Sequence, residues 1–257
     1  MSDIHVHIDA GIALVTLERA SKRNAITLAM WRETARVFGA LGANRNVRGI
    51  VLTGAGGNFS VGADVSEFSA VRGDATAAAD YEVAVDAAAD AIAAVPKPVI
   101  AALEGYCLGG GCHLALAADF RFAAPDAAIG IPSARLSIVY GVKSTQRLLA
   151  LVGLAAAKRI LYGAERLDGA TALALGLVQR IEAAPVAAAL AYARELGELA
   201  PLSIAGAKGI LDGLAMGAGA LDPAFANSLI DNAADSGDYD EGRRAFAEKR
   251  APRFKGE

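Results

Sequence analysis

Residues 104–120, EGYCLGGGCHLALAADF, set Gly109, Gly110 and Gly111 directly ahead of a helix-like run whose first polar side chain is His113, one of three histidines in the chain. Glycine costs a helix about 1 kcal/mol relative to alanine, so three in succession call for a reason. The first four N–H groups of a helix lack internal acceptors, and the helix dipole makes that end positive. Glycine lets a ligand reach the backbone with no Cβ in the way. GGG before CHLALAAD therefore reads as a backbone donor site for negative charge. FSVGAD (59–64) also follows a strand-like run and can present a second N–H. Tight turns at strand ends are the plainer alternative for both stretches.

Other chemistries fail on spacing. Neither TGAGGNF nor GYCLGGGCHL contains G-x-G-x-x-G, no glycine loop ends in G-K-[ST], and G-x-S-x-G is absent. Cys107 and Cys112 are the only cysteines. With no partner pair for zinc, they read as buried free thiols in a reducing cytoplasm. His5 and His7 share a strand face but have no third ligand, which points to the surface.

The elements that must carry these groups follow from periodicity. IHVHI (4–8) and IALVTL (12–17) flank a hairpin turn at Asp9-Ala10-Gly11. Thr27 can cap a helix running to about Leu41. GIVLTG (49–54), PVIAAL (98–103) and DFRFAA (119–124) read as buried strands, with a further short piece around Ile129 and Ile131. An alanine-rich helix fits 76–95, stopped by Pro96 and Pro98. Buried strands alternating with helices predict an α/β fold with largely parallel pairing. Four helix-like stretches, 184–199, 203–217, 221–234 and 239–249, follow with no strand between them, so the organisation reads as a core over 1–183 and a helical region over 184–257.

With 257 residues, 54% hydrophobic and 21% charged, the chain can bury a full core. A net charge of −3 and the absence of a Lys/Arg run leave no electrostatic case for nucleic acid. The opening MSDIHVHIDAG lacks the basic and apolar regions of a signal peptide. No apolar stretch is long enough to span a membrane. A cytoplasmic location is expected.

Taken together, Arg23-Asn24-Ala25-Ile26, VLTG (51–54), FSVGAD (59–64), KPVIAALEGYCLGGGCHLALAADFRFA (97–123), STQRLLALVG (144–153), GLV (176–178) and EGRRAFAEKRAPRF (241–254) resemble, in order and spacing, the enoyl-CoA hydratase/isomerase (crotonase) superfamily. The resemblance covers nearly the whole chain. It implies a repeated ββα spiral core with C-terminal helices that build homotrimers, often paired into hexamers. It also implies a CoA thioester as substrate, with no prosthetic group. By position, the backbone N–H groups of Ala63 and Gly110 would form the oxyanion hole. Two preorganised donors stabilise an enolate oxygen more than the ground-state carbonyl. Lys22, Arg23 and Ala25, with Ser60, Gly62, Asp64, Val65 and Gly109, would lie along the bound ligand. Asp64 has a competing reading as the cap of the next helix.

The chain also departs from that pattern. The hydratases carry glutamates at the positions held here by His113 and Ser133. Serine has no useful pKa for acid–base work near neutrality, so Ser133 cannot simply replace one. His113 can exchange a proton at neutral pH, or can be a packed histidine on an inner helix face. RLSIVYGVKSTQRL (135–148) replaces a glycine- and proline-rich loop. Tyr140 resembles a tyrosine of the decarboxylase branch acting on methylmalonyl-CoA, and Lys143 or Arg135 could pair a carboxylate. A packed Tyr140 and a solvated Lys143 are the alternative. The expected activity is a variant lyase, isomerase or decarboxylase; the competing reading is an acyl-CoA-binding protein without turnover.

Overall fold

The computed structural model describes residues 3–217 and 219–257; Met1 and Ser2, which open the stretch read for a signal peptide, and Ala218 lie outside them. The chain begins with β1 (Ile4–Asp9) and β2 (Ile12–Leu17), an antiparallel pair whose turn puts Ala10 and Gly11 at φ 45° and 79°. The Thr27 side chain accepts from Met30 N–H and starts α1 (Leu28–Ala43). Next come β3 (Gly49–Gly54), the short α2 (Phe68–Val71) and α3 (Ala75–Ala93), the last capped by Asp74.

Strand, strand and helix then recur. β4 (Val99–Leu103) and β5 (Tyr106–Leu108) lead into α4 (Gly110–Ala117). β6 (Phe120–Ala123) and β7 (Ala128–Gly130) lead through a single turn at 132–136 into α5 (Val142–Gly163), which breaks at Gly153. After α6 (Gly169–Ala174) and β8 (Arg180–Ile181) come four helices, α7 (Pro185–Gly197), α8 (Pro201–Ala215), α9 (Pro223–Ala234) and α10 (Gly237–Glu248).

The main sheet runs β1-β2-β3-β4-β6-β8 and is parallel except at β1. Every residue of β3 and β4 is buried, as expected for parallel strands covered on both faces. One face packs against α1, α3 and α4 through a core that includes Trp31, Phe38, Leu52 and Ile92. The opposite face packs Ile12, Val51, Ile100 and Phe122 against Ala189 and Ala193 of α7. The change of sequence pattern at residue 183 is therefore not a break in packing, because α7 lies on the core sheet.

A second, smaller sheet pairs β5 with β7. Residues 60–63 extend it, with Ser60 bridging Cys107 and Ala63 bridging Ile26. This sheet brings the two glycine-containing stretches side by side.

Candidate active site

The bridge between Ile26 and Ala63 uses the N–H groups of Ile26 and Asp64, bonded to Gly62 O and Ile26 O. The Ala63 N–H therefore points away from that strand. On the neighbouring strand Gly109 N–H is bonded to Gly130 O, and the chain turns at φ 50° into α4. Neither the Ala63 nor the Gly110 N–H has an internal acceptor among the described residues.

Their approach is close enough to explain the glycines. A Cβ on Gly110 would lie 3.1 Å from Ala63 N and 3.0 Å from the Trp31 ring. On Gly111 it would lie 2.6 Å from Ser60 O, and on Gly62 2.8 Å from Leu108 O. Two free donors thus open into one cavity of about 170 Å³, room for the reacting end of a ligand. A larger cavity of about 460 Å³ lies beneath α8 but includes neither donor.

The profile of the enoyl-CoA hydratase/isomerase family matches residues 7–257. The chain belongs to the enoyl-CoA hydratase/isomerase family. It is 34% identical to a "Probable enoyl-CoA hydratase" of Bacillus subtilis over the full length of both chains. It is 36% identical to a "Probable enoyl-CoA hydratase" of Mycobacterium tuberculosis, covering 95% of this chain and 96% of the relative. A crystal structure titled enoyl-CoA hydratase/carnithine racemase, from Magnetospirillum magneticum, superposes with a TM-score of 0.93 at 34% identity, covering 100% and 97% of the two chains. The fold is accordingly the crotonase-like α/β fold of that family.

Within this enoyl-CoA hydratase/isomerase site, Gly62, Ala63, Val65, Gly109, Gly110, His113, Ser133 and Tyr140 all border the cavity. His113 is buried, and both of its ring nitrogens are engaged. Nε2 lies 3.0 Å from Val85 O, which can only accept, so Nε2 carries the proton. Nδ1 then accepts from the Ser144 hydroxyl. Trp31 and Tyr140 meet the ring edge-on at 5.9 and 6.3 Å. Both ring nitrogens are thus held by internal partners.

Burial pushes the His113 pKa below its ordinary 6.5, outweighing the Val85 carbonyl and Asp86, which favour the charged form. Below pH 6.5 the unfolded chain takes up a proton that the folded protein refuses. The stability His113 contributes is complete above that pH and declines as pH falls toward the lower folded value, by at most ~1.4 kcal/mol per unit. Urea unfolding at pH 7.5 and 5.5 should show a steeper loss in the wild type than in His113→Gln; equal slopes would contradict this placement.

Tyr140 is half-buried, and its hydroxyl donates weakly to Gly109 O at 3.5 Å. Burial raises its pKa well above the ordinary tyrosine value, so it stays a protonated donor. Ser133 sits in the turn at 132–136.

The remaining candidates lie elsewhere. Ser60 is buried, with its hydroxyl donating to Asn24 O and accepting from Gly62 N–H, and does not border the cavity. Asp64 is used by Arg19 and by the Ser66 N–H and hydroxyl, in the capping role. Ala25 is buried, and its carbonyl accepts from Arg19. Lys22 is exposed, and the Arg23 guanidinium lies over the Tyr106 ring at 5.1 Å. Lys143 pairs with Asp90, which Arg147 shares, and does not reach the cavity.

Sequence reasoning missed one face of α3. The cavity is bordered there by Tyr81, Glu82, Val85 and Asp86. Their spacing of three and four is the signal that could have found them. Tyr81 accepts from Trp31 Nε1 at 2.9 Å, and Glu82 pairs with Arg72 at 3.0 Å. Asp86 is half-buried and has neither a hydrogen bond nor an ion pair among the described residues.

Proposed function

We propose that this chain is an enzyme that holds the carbonyl oxygen of an acyl-CoA thioester on the Ala63 and Gly110 N–H groups while the α-carbon carries charge as an enolate. The observation that carries the reading is the pair of unoccupied donors converging on one cavity. Charge that develops on oxygen is worth most to a site whose dipoles are already aimed, and removing one such donor typically costs ~3–4 kcal/mol of transition-state stabilisation. Val65, Leu136 and Val139 are exposed apolar residues at the cavity and suit an acyl chain.

With His113 locked and serine at 133, water addition lacks the two carboxylates that the resembling hydratases use. The reaction is a variant of the family's enolate chemistry: isomerisation, lyase cleavage or decarboxylation, with the Tyr140 hydroxyl available as a donor to a polar acyl group. The second reading, an acyl-CoA binder without turnover, is favoured by the two bonds that occupy His113. Homotrimers or hexamers built through the C-terminal helices are part of the proposal, supported by exposed Leu211, Leu214, Phe225, Ile230, Tyr239 and Phe246. No helix among the described residues is long and apolar enough to cross a membrane.

Calorimetry with crotonyl-CoA and methylmalonyl-CoA, run beside assays of hydration and decarboxylation, separates these readings. Binding of CoA esters without efficient hydration is the expected result. Rapid hydration of crotonyl-CoA would overturn the variant reading, and binding with no turnover of any thioester would favour the binder.

A further inference from the structure

We propose that Asp86 carries the proton in this site, taking it from the carbon beside the thioester carbonyl and returning it further along the acyl chain. The inference rests on the thioester reading above and adds the acid–base group which that reading lacks.

Six ionisable side chains border the cavity; four are firmly engaged, and Tyr140 makes one long bond that leaves it a donor but not a base. Arg72 and Glu82 pair with each other, Tyr81 holds Trp31, His113 joins Val85 to Ser144, and Tyr140 turns to Gly109 O. Asp90, one turn further along α3, is held by Lys143 and Arg147. Asp86 alone is uncommitted. It caps no helix, and its Oδ1 lies 3.8 Å from the position a Cβ on Gly141 would take, beneath the loop that carries Tyr140. A carboxylate half withdrawn from water with no internal donor gains nothing structurally from its charge. Asp86 is the one carboxylate at the cavity that no internal partner holds among the described residues, and a group that moves a proton must be free to meet the ligand.

The step balances without a cofactor. In a 3-enoyl thioester the C2–H bond breaks and its proton passes to an Asp86 oxygen. The electron pair moves onto the thioester oxygen, held by the Ala63 and Gly110 N–H groups. The dienolate then takes the proton back at C4, the double bond shifts from C3–C4 to C2–C3, and Asp86 is again ionised.

The probe is trans-3-hexenoyl-CoA in D2O, with binding read by calorimetry, conjugation by absorbance and deuterium uptake by mass spectrometry. Wild type should conjugate the double bond and take up deuterium. Asp86→Asn should lose about 100-fold in kcat, with affinity kept within threefold. Asp86→Glu, which keeps the carboxylate, should recover part of the loss. A rate in Asp86→Asn within threefold of wild type overturns the assignment. So does a wild type that binds the probe without conjugation or exchange, which leaves thioester binding itself intact. Failure to bind any CoA ester removes both the assignment and the reading beneath it.

Discussion

Gly110→Ala should lower kcat/KM for any thioester the protein turns over by about 1,000-fold, at the upper end of what loss of an oxyanion donor costs. The added methyl would stand 3.1 Å from Ala63 N, in the space where an oxygen must sit to receive both N–H groups. It cannot be relieved by moving Trp31, which is fully buried and tied by its indole N–H to Tyr81. Gly111→Ala gives the contrast. Its Cβ would meet the Ser60 carbonyl at 2.6 Å, away from the donors, so that variant should lose stability. Steady-state kinetics with thermal melts on both proteins tests the separation. Activity in Gly110→Ala within tenfold of wild type would rule out the Ala63 and Gly110 pair as the oxygen's holder.

Arg121→Met should be the most destabilising single change outside the cavity, by ~3–5 kcal/mol or about 10 °C in Tm. Arg121 is 2% exposed, with its guanidinium buried among main-chain oxygens. It donates to Leu177 O at 2.7 Å, to Ala115 O at 3.1 Å and Ala118 O at 2.8 Å at the end of α4, and to the Gln179 side chain at 3.0 Å. Burial draws its pKa down to about 10, so it stays charged at neutrality. A cation at the carboxyl end of α4 complements the helix dipole and fixes the helix whose other end carries Gly110. Methionine fills the stem's volume but leaves those carbonyls without donors. Urea unfolding measures the cost; a loss under 1 kcal/mol would mean that water or repacking satisfies them.

Much of the scaffold was legible because its signals are local. Within Asp9-Ala10-Gly11 the last two residues form a two-residue turn, Thr27 caps α1, and the apolar runs at 49–54 and 98–103 form buried parallel strands. β5 was hidden, since three residues ahead of the glycines show too little alternation to announce a strand. The free N–H pair was legible for a similar reason: glycine marks where backbone must come close. Side-chain surroundings were not legible where the deciding partner is remote. His113 is fixed by a carbonyl 28 residues away and a hydroxyl 31 residues away, and neither bond leaves a trace in local spacing. Asp86 could not be ranked until its neighbours were seen to be spoken for.

The imidazole of residue 113 fastens α4 to α3 through Val85 and to α5 through Ser144. A glutamate placed there would aim an acceptor at the Val85 acceptor, with only the serine hydroxyl to offer a donor. A single His113→Glu substitution would therefore break the link between α3 and α4 while keeping at most the link to α5.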